Sequence, residues 1–253
     1  MNKIPSNKKS LFCFITGGDP TPSISREYIL SVLEAGADGI VIGIPFSDPI
    51  AEGPLLQAAN LRALSAGTTP ETVFQLAVFV RDKTNIPLFL QSYMNPIYKY
   101  GIDTFFDRCK EVGVDGVILP DVPYEQKADV QPAAKRCGVS VISMIAPAGK
   151  ERMQKIARDA EGFLYMLPSM CTMGDCCSMQ RDFSKILESV RPVTNIPIFA
   201  GLDDVTSEQA AELAPIADGI LLSSAIAAMV AAHGDNAADS ITAYVQSIKK
   251  SMA

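Results

Sequence analysis

Two carboxylates, Asp48 and Glu52, stand four residues apart in a polar loop that follows an apolar run, Gly39–Ile44. The run breaks at Pro45, and the loop continues as P-F-S-D-P-I-A-E-G-P to Pro54. Acids held at the end of a buried strand can divide proton transfer between them. Each also has a plainer reading: Asp48 before Pro49 suits an ordinary turn, and Glu52 suits a solvated loop. Other acid–base candidates are few. The chain has one histidine, His233, and none of its strand-like runs carries Lys, Arg or His. A Schiff-base lysine or an imidazole base projecting from a strand is thereby removed. The six cysteines contain no C-x-x-C spacing, so a zinc site would need scattered thiolates. Cys13, Cys109 and Cys137 read as small buried hydrophobes, and Cys171, Cys176 and Cys177 as incidental reduced thiols in a loop.

The elements that must position these residues alternate from end to end. Strands are expected at Leu11–Thr16, Gly39–Ile44, Pro87–Tyr93, Gly116–Asp121, Val139–Ile145, Phe163–Leu167, Ile196–Ala200 and Gly219–Ser224. All are near-continuous apolar segments, the pattern of parallel strands covered on both faces. Helical patterns separate them, such as Ile24–Ala35, where Ile24, Tyr28, Val32 and Ala35 share a face; Ile241, Val245 and Ile248 do the same later. Eight strand-helix units predict an α/β fold, a single (β/α)8 TIM barrel over residues 1–253. Near copies support it: E-A-G-A-D-G-I at 34–40, E-V-G-V-D-G-V at 111–117, I-A-D-G-I at 216–220, and T-N-I-P-L-F at 84–89 against T-N-I-P-I-F at 194–199. Each reads as a helix exit, a tight turn and a strand entry. Aromatics are only 7% of the chain, with no Trp, so aliphatic side chains are expected to fill the interior.

The net charge of −6 argues against a nucleic-acid surface. No apolar run approaches a membrane span, and Met1–Ser10 is polar without an apolar segment behind it, so a cytoplasmic location is expected.

The order strand, P-F-S-D-P, acid-Gly-Pro strongly resembles the second β-loop-α segment of the tryptophan synthase alpha subunit. F-I-T-G-G-D-P at 14–20, Y-M-N-P at 93–96, P-D-V-P at 120–123, Tyr165 and the closing Ser224-Ala-Ile resemble further family segments in order. The resemblance implies retro-aldol cleavage of indole-3-glycerol phosphate to indole and glyceraldehyde 3-phosphate. It also implies no cofactor in this chain and an α2β2 assembly with a pyridoxal-phosphate beta subunit.

In the family a strand glutamate handles proton transfer at carbon and at the side-chain hydroxyl; here Val41 stands at that position. Glu52 stands where a loop aspartate takes the indole N–H, and its extra methylene moves the carboxylate by about 1 Å. Tyr165, Gly174, Gly201, Ser223 and Ser224 match substrate or phosphate positions. Phe199, Ala200 and Asp203 depart from the family's phosphate loop, and an inward Asp203 would repel phosphate, so a weakened but surviving anion site is expected. Met173 replaces a threonine that contacts the loop aspartate, and bulky apolar groups at 168–177 argue against ordinary loop closure. Asp48 and Pro49, Asn95 and Pro96, and Asp121 and Pro123 match segments facing the beta subunit. The leading reading is an alpha-type subunit with little or no lyase activity, kept to activate a beta subunit. The alternatives are a working lyase using Glu52 with a substitute acid, and a different phosphate-binding barrel, such as another isomerase or epimerase of the same architecture.

Overall fold

The computed structural model describes residue 4, residues 8–167 and residues 176–252, with backbone only at 176–180. Eight strands run β1 Ser10–Thr16, β2 Gly39–Gly43, β3 Leu88–Gln91, β4 Gly116–Ile118, β5 Ser140–Ile145, β6 Leu164–Met166, β7 Ile198–Leu202 and β8 Gly219–Leu222. They close into a barrel in chain order, each pair parallel. The helices around it begin with α1 Pro22–Glu34, α2 Pro54–Ser65, α3 Pro70–Lys83, α4 Met94–Tyr100, α5 Ile102–Glu111 and α6 Gln131–Cys137. They continue with α7 Lys150–Arg158, α8 Cys176–Val190, α9 Ser207–Leu213, α10 Ser224–His233 and α11 Ala238–Ser251. The expected (β/α)8 architecture is therefore the observed one. Among the described residues no helix is long and apolar enough to cross a membrane.

Alternation along each strand sorts side chains into two layers. Leu11, Cys13 and Ile15 of β1 join an outer layer against the helices, where Tyr28, Val32, Ile241, Val245 and Ile248 are buried. Phe12 and Phe14 point inward with Val41, Phe89, Ile118, Ile142, Phe163, Tyr165, Phe199 and Leu221. The barrel centre is thus rich in aromatic rings, while the larger core between strands and helices is mainly aliphatic, as expected from composition. Phe12 lies 5.7 Å from Phe89, 5.8 Å from Phe163 and 4.5 Å from Phe199 between ring centroids.

The repeats explain how so few rings fill the centre. Phe12, Phe89 and Phe199 pair in register with Gly39, Gly116 and Gly219 on the following strand. A Cβ on those glycines would come within 2.4, 2.9 and 2.4 Å of the paired ring. The glycine leaves a hole, and the phenylalanine next door occupies it. The aspartate before each glycine ties the same two strands: Asp38, Asp115 and Asp218 accept the N–H of Leu11, Leu88 and Ile198 at 2.8, 2.9 and 2.8 Å. Two copies add an arginine three residues before the T-N-I-P turn. Arg81 donates to the Ile86 carbonyl and the Asp115 carboxylate, and Arg191 to the Ile196 carbonyl and the Asp218 carboxylate.

This geometry makes a sharp prediction. Gly219→Ala should lower stability by about 1–3 kcal/mol, because its Cβ would meet the Phe199 ring and, at 2.6 Å, the backbone oxygen of Ser10. Thermal melts of the two proteins check it; an unchanged midpoint would mean the rings can shift at no cost.

Several strands are shorter than expected. β3 ends at Gln91 and β4 at Ile118, because Leu119 turns the chain, its carbonyl accepting the Val122 N–H at 3.2 Å. The residues beyond, Ser92–Tyr93 and Leu119–Asp121, therefore belong to the loops of the mouth.

Candidate active site

The C-terminal strand ends of a parallel barrel gather the loops where chemistry is placed. Loop 45–53 follows β2 and is held by its own turns and by α2. The Ile50 N–H donates to Asp48 O at 2.9 Å and the Glu52 N–H to Pro49 O at 3.0 Å. Asn60 then ties the loop to the helix, its Oδ1 accepting the Phe46 N–H at 2.8 Å while its Nδ2 donates to Glu52 Oε2 at 2.7 Å. Tyr93 packs its ring 5.4 Å from Phe46, and its hydroxyl accepts the Ala51 N–H at 3.1 Å.

Glu52 is consequently a fixed group. Its second carboxylate oxygen accepts from Gln91 Nε2 at 3.0 Å, so each oxygen already holds one amide donor. Gln91 closes the inward row of β3 and pairs with Gly43, which pairs with Thr16. Burial pushes the Glu52 carboxyl above its usual range, against the opposing pull of Gln91 and Asn60. Burial and then the charge of Glu52 push the Tyr93 phenol upward as well.

A carboxyl raised in the folded state makes stability fall as pH climbs through and above 4.5, since the unfolded chain releases that proton more readily. Glu52→Gln should flatten this dependence in the weakly acidic range. Denaturant midpoints of both proteins between pH 4 and 7 (spanning the Glu range, about 4.3 unperturbed) provide the check, and parallel curves would refute it.

One layer below the mouth, Val41 is fully buried and pairs in register with Phe14 and Phe89. Its side chain can neither carry a proton nor accept a hydrogen bond. Thr16 continues the inward row of Phe12 and Phe14 above it; its hydroxyl is buried and has no partner among the described residues.

Across the mouth, Tyr165 is buried in the inner layer over Gly201, where a Cβ would come within 2.5 Å of the ring. Burial and, after it, the nearby Asp203 charge raise its phenol. Ser223 precedes α10 with its hydroxyl 2.8 Å from Asp203 Oδ1 and 3.0 Å from Leu202 O. Ser224 is buried as the first residue of α10. Gly174, Met173 and Cys171 lie outside the described residues, and Cys176 and Cys177 start α8.

The residues matched to a partner face differ in kind. Asp48, Asn95 and Pro123 are exposed, whereas Pro49 is buried within its loop. Asp121 is already engaged, its carboxylate accepting the Met94 N–H at 2.9 and 3.1 Å and so capping α4. Ile50 and Tyr98 leave large apolar surfaces, 83% and 72% exposed, Ile50 on the loop of Asp48 and Tyr98 on α4 with Asn95.

Two fixing residues were missed by the sequence reading, and both had a signal. Asn60 is a polar residue on the buried face of α2, with Leu56 and Ala63. Gln91 is the sole polar residue of β3. A third interaction holds loop 16–20: the Arg62 guanidinium binds both oxygens of buried Asp19, at 2.7 and 2.8 Å. One lysine is buried, but elsewhere. Lys127 donates to Val141 O and Ser143 Oγ, both at 2.8 Å, on the outward row of β5. His233 is exposed at the far end of α10. Among the described residues no group of three or more His, Cys, Asp or Glu could hold a metal ion.

Comparison with known proteins agrees with this fold. The family model described as Tryptophan synthase alpha chain matches residues 1–253. The tryptophan synthase alpha chain of Alkaliphilus metalliredigens is 38% identical over 220 residues, 87% of this chain and 83% of that relative. That of Lacticaseibacillus casei is 35% identical over 243 residues, 96% and 91% of the two chains. Among solved structures, tryptophan synthase subunit alpha from Legionella pneumophila superposes with a TM-score of 0.90 at 29% identity, covering 100% of this chain and 98% of the other. The tryptophan synthase complex from Pyrococcus furiosus gives 0.87 at 26% identity, with 96% and 98% covered. The chain belongs to the tryptophan synthase alpha chain family.

Proposed function

We propose that this chain is an alpha-type subunit with little or no indole-3-glycerol phosphate lyase activity, retained to dock on and activate a pyridoxal-phosphate beta subunit. Retro-aldol cleavage must protonate indole C3 as the glyceryl group leaves and must take the proton of the adjacent side-chain hydroxyl, which becomes the aldehyde. The observation that carries the reading is Val41: fully buried between Phe14 and Phe89, it offers no proton at the layer facing the mouth. Loss of one general acid–base group costs on the order of 10²–10⁴-fold in rate. The exposed Asp48, Asn95 and Pro123, with Ile50 and Tyr98 beside them, supply a mixed polar and apolar face for a partner in an α2β2 assembly. Pyridoxal phosphate belongs to that partner, and no cofactor is assigned to this chain.

A second reading, a lyase working through Glu52, is favoured by one observation. The Glu52 carboxyl is fixed by two amides, and burial raises it above its usual range. Turnover of indole-3-glycerol phosphate, with and without a beta subunit, separates the two. Background rates support the first reading; ordinary family rates that vanish in Glu52→Gln support the second.

A further inference from the structure

The start of α10, where a parallel barrel offers backbone N–H groups to an anion, is already facing one. Asp203, at the end of β7, places its carboxylate on the Ser223 hydroxyl, and its main-chain oxygen accepts the Ala225 N–H at 3.0 Å. A hydroxyl has one proton, and between Leu202 O and a carboxylate the charged acceptor holds it more strongly. Neither the Ser223 hydroxyl nor the Ala225 N–H therefore remains for a ligand. Burial and, after it, the Asp203 charge both disfavour ionisation of the Tyr165 phenol.

The opposite side of the mouth is built differently. Thr16, Gly43 and Gln91 form one inward row across β1, β2 and β3. Thr16 carries a buried hydroxyl without a partner among the described residues, and Gln91 holds the Glu52 carboxylate. Each oxygen of that carboxylate receives one amide, which leaves lone-pair capacity for a further N–H. Below the row lie only Phe14, Val41 and Phe89.

We propose that Asp203 occupies from within the place a ligand phosphate would need, so that the mouth takes an uncharged N–H heteroaromatic, indole or an indole alcohol, in preference to a phosphate ester. This deepens the functional reading above and rests on it. It also replaces the weakened phosphate site expected from sequence with a site selective against phosphate.

The chain has no Trp and 7 Tyr, so the fluorescence of an indole ring, excited at the red edge where phenols do not absorb, reports binding with little protein background. The test titrates the full chain into indole-3-propanol and into its phosphate ester at low ionic strength, where charge effects are least screened. The ester should bind no more tightly than the alcohol. Asp203→Ser and the isosteric Asp203→Asn should each tighten the ester by about tenfold or more while leaving the alcohol unchanged. Tighter binding of the ester by the unmodified chain, an unchanged ester-to-alcohol ratio in both variants, or no binding of either ring would each overturn the proposal. Those results leave lyase turnover and beta-subunit activation untouched, so they are distinguishable from failure of the functional reading.

Discussion

Purified protein is expected to cleave indole-3-glycerol phosphate ~10²–10⁴-fold more slowly than a family member with glutamate at the Val41 position, with no restoration of the rate by a beta partner. Val41→Glu recovers part of the activity. Recovery is incomplete because Glu52, Met173 and Asp203 also depart from the family pattern. Full recovery by that single change would show that the loops are less altered than argued. The same substitution has a second signature. Position 41 is fully buried beside two phenylalanine rings, so burial should push the new carboxyl above its ordinary range. The variant should be less stable than the parent by about 2–4 kcal/mol at neutral pH. The deficit should shrink as pH falls from neutral toward the unfolded Glu value of about 4.3, because over that window the folded state binds a proton that the unfolded state does not. Denaturant melts at several pH values measure this, and a pH-independent deficit would contradict a buried carboxylate.

The second large effect concerns the partner. Adding this chain to a beta subunit is expected to raise its rate on indole and serine, since docking would favour the active state of the partner. Asp48→Ala removes most of that gain. Asp48 is exposed and its carboxylate bonds only locally, to the Ser47 hydroxyl at 2.5 Å, so the barrel should fold as before. Rates with no alpha chain, with this chain and with the variant, all at saturation, provide the comparison. Equal rates in all three would leave the chain neither lyase nor activator.

Much of this was legible because the signals are local. The D-G strand entries, the T-N-I-P turns and the continuous apolar runs each declare a βα unit within a few residues. What those repeats do is not local. That Gly39, Gly116 and Gly219 make room for Phe12, Phe89 and Phe199 depends on register between strands, which composition cannot convey. Hence a 7% aromatic content foretold the mainly aliphatic core but not the gathering of the few rings at the barrel centre. The strand ends at Gln91 and Ile118 were overrun for a related reason, since Ser92–Tyr93 and Leu119–Asp121 are apolar enough to continue a strand but serve the mouth. In the site, Val41 and Glu52 could be placed by motif. The amides that hold Glu52 come from positions 60 and 91, and the hydroxyl facing Asp203 comes from position 223. Only the fold brings them together.

The most direct test couples both halves of the account in one measurement: tryptophan formation from serine by a beta subunit, with and without this chain, using either indole or indole-3-glycerol phosphate as the second substrate. The account predicts that this chain accelerates the reaction with indole and leaves the reaction with indole-3-glycerol phosphate near background. Tryptophan formed from indole-3-glycerol phosphate at a rate comparable to the indole reaction would contradict it.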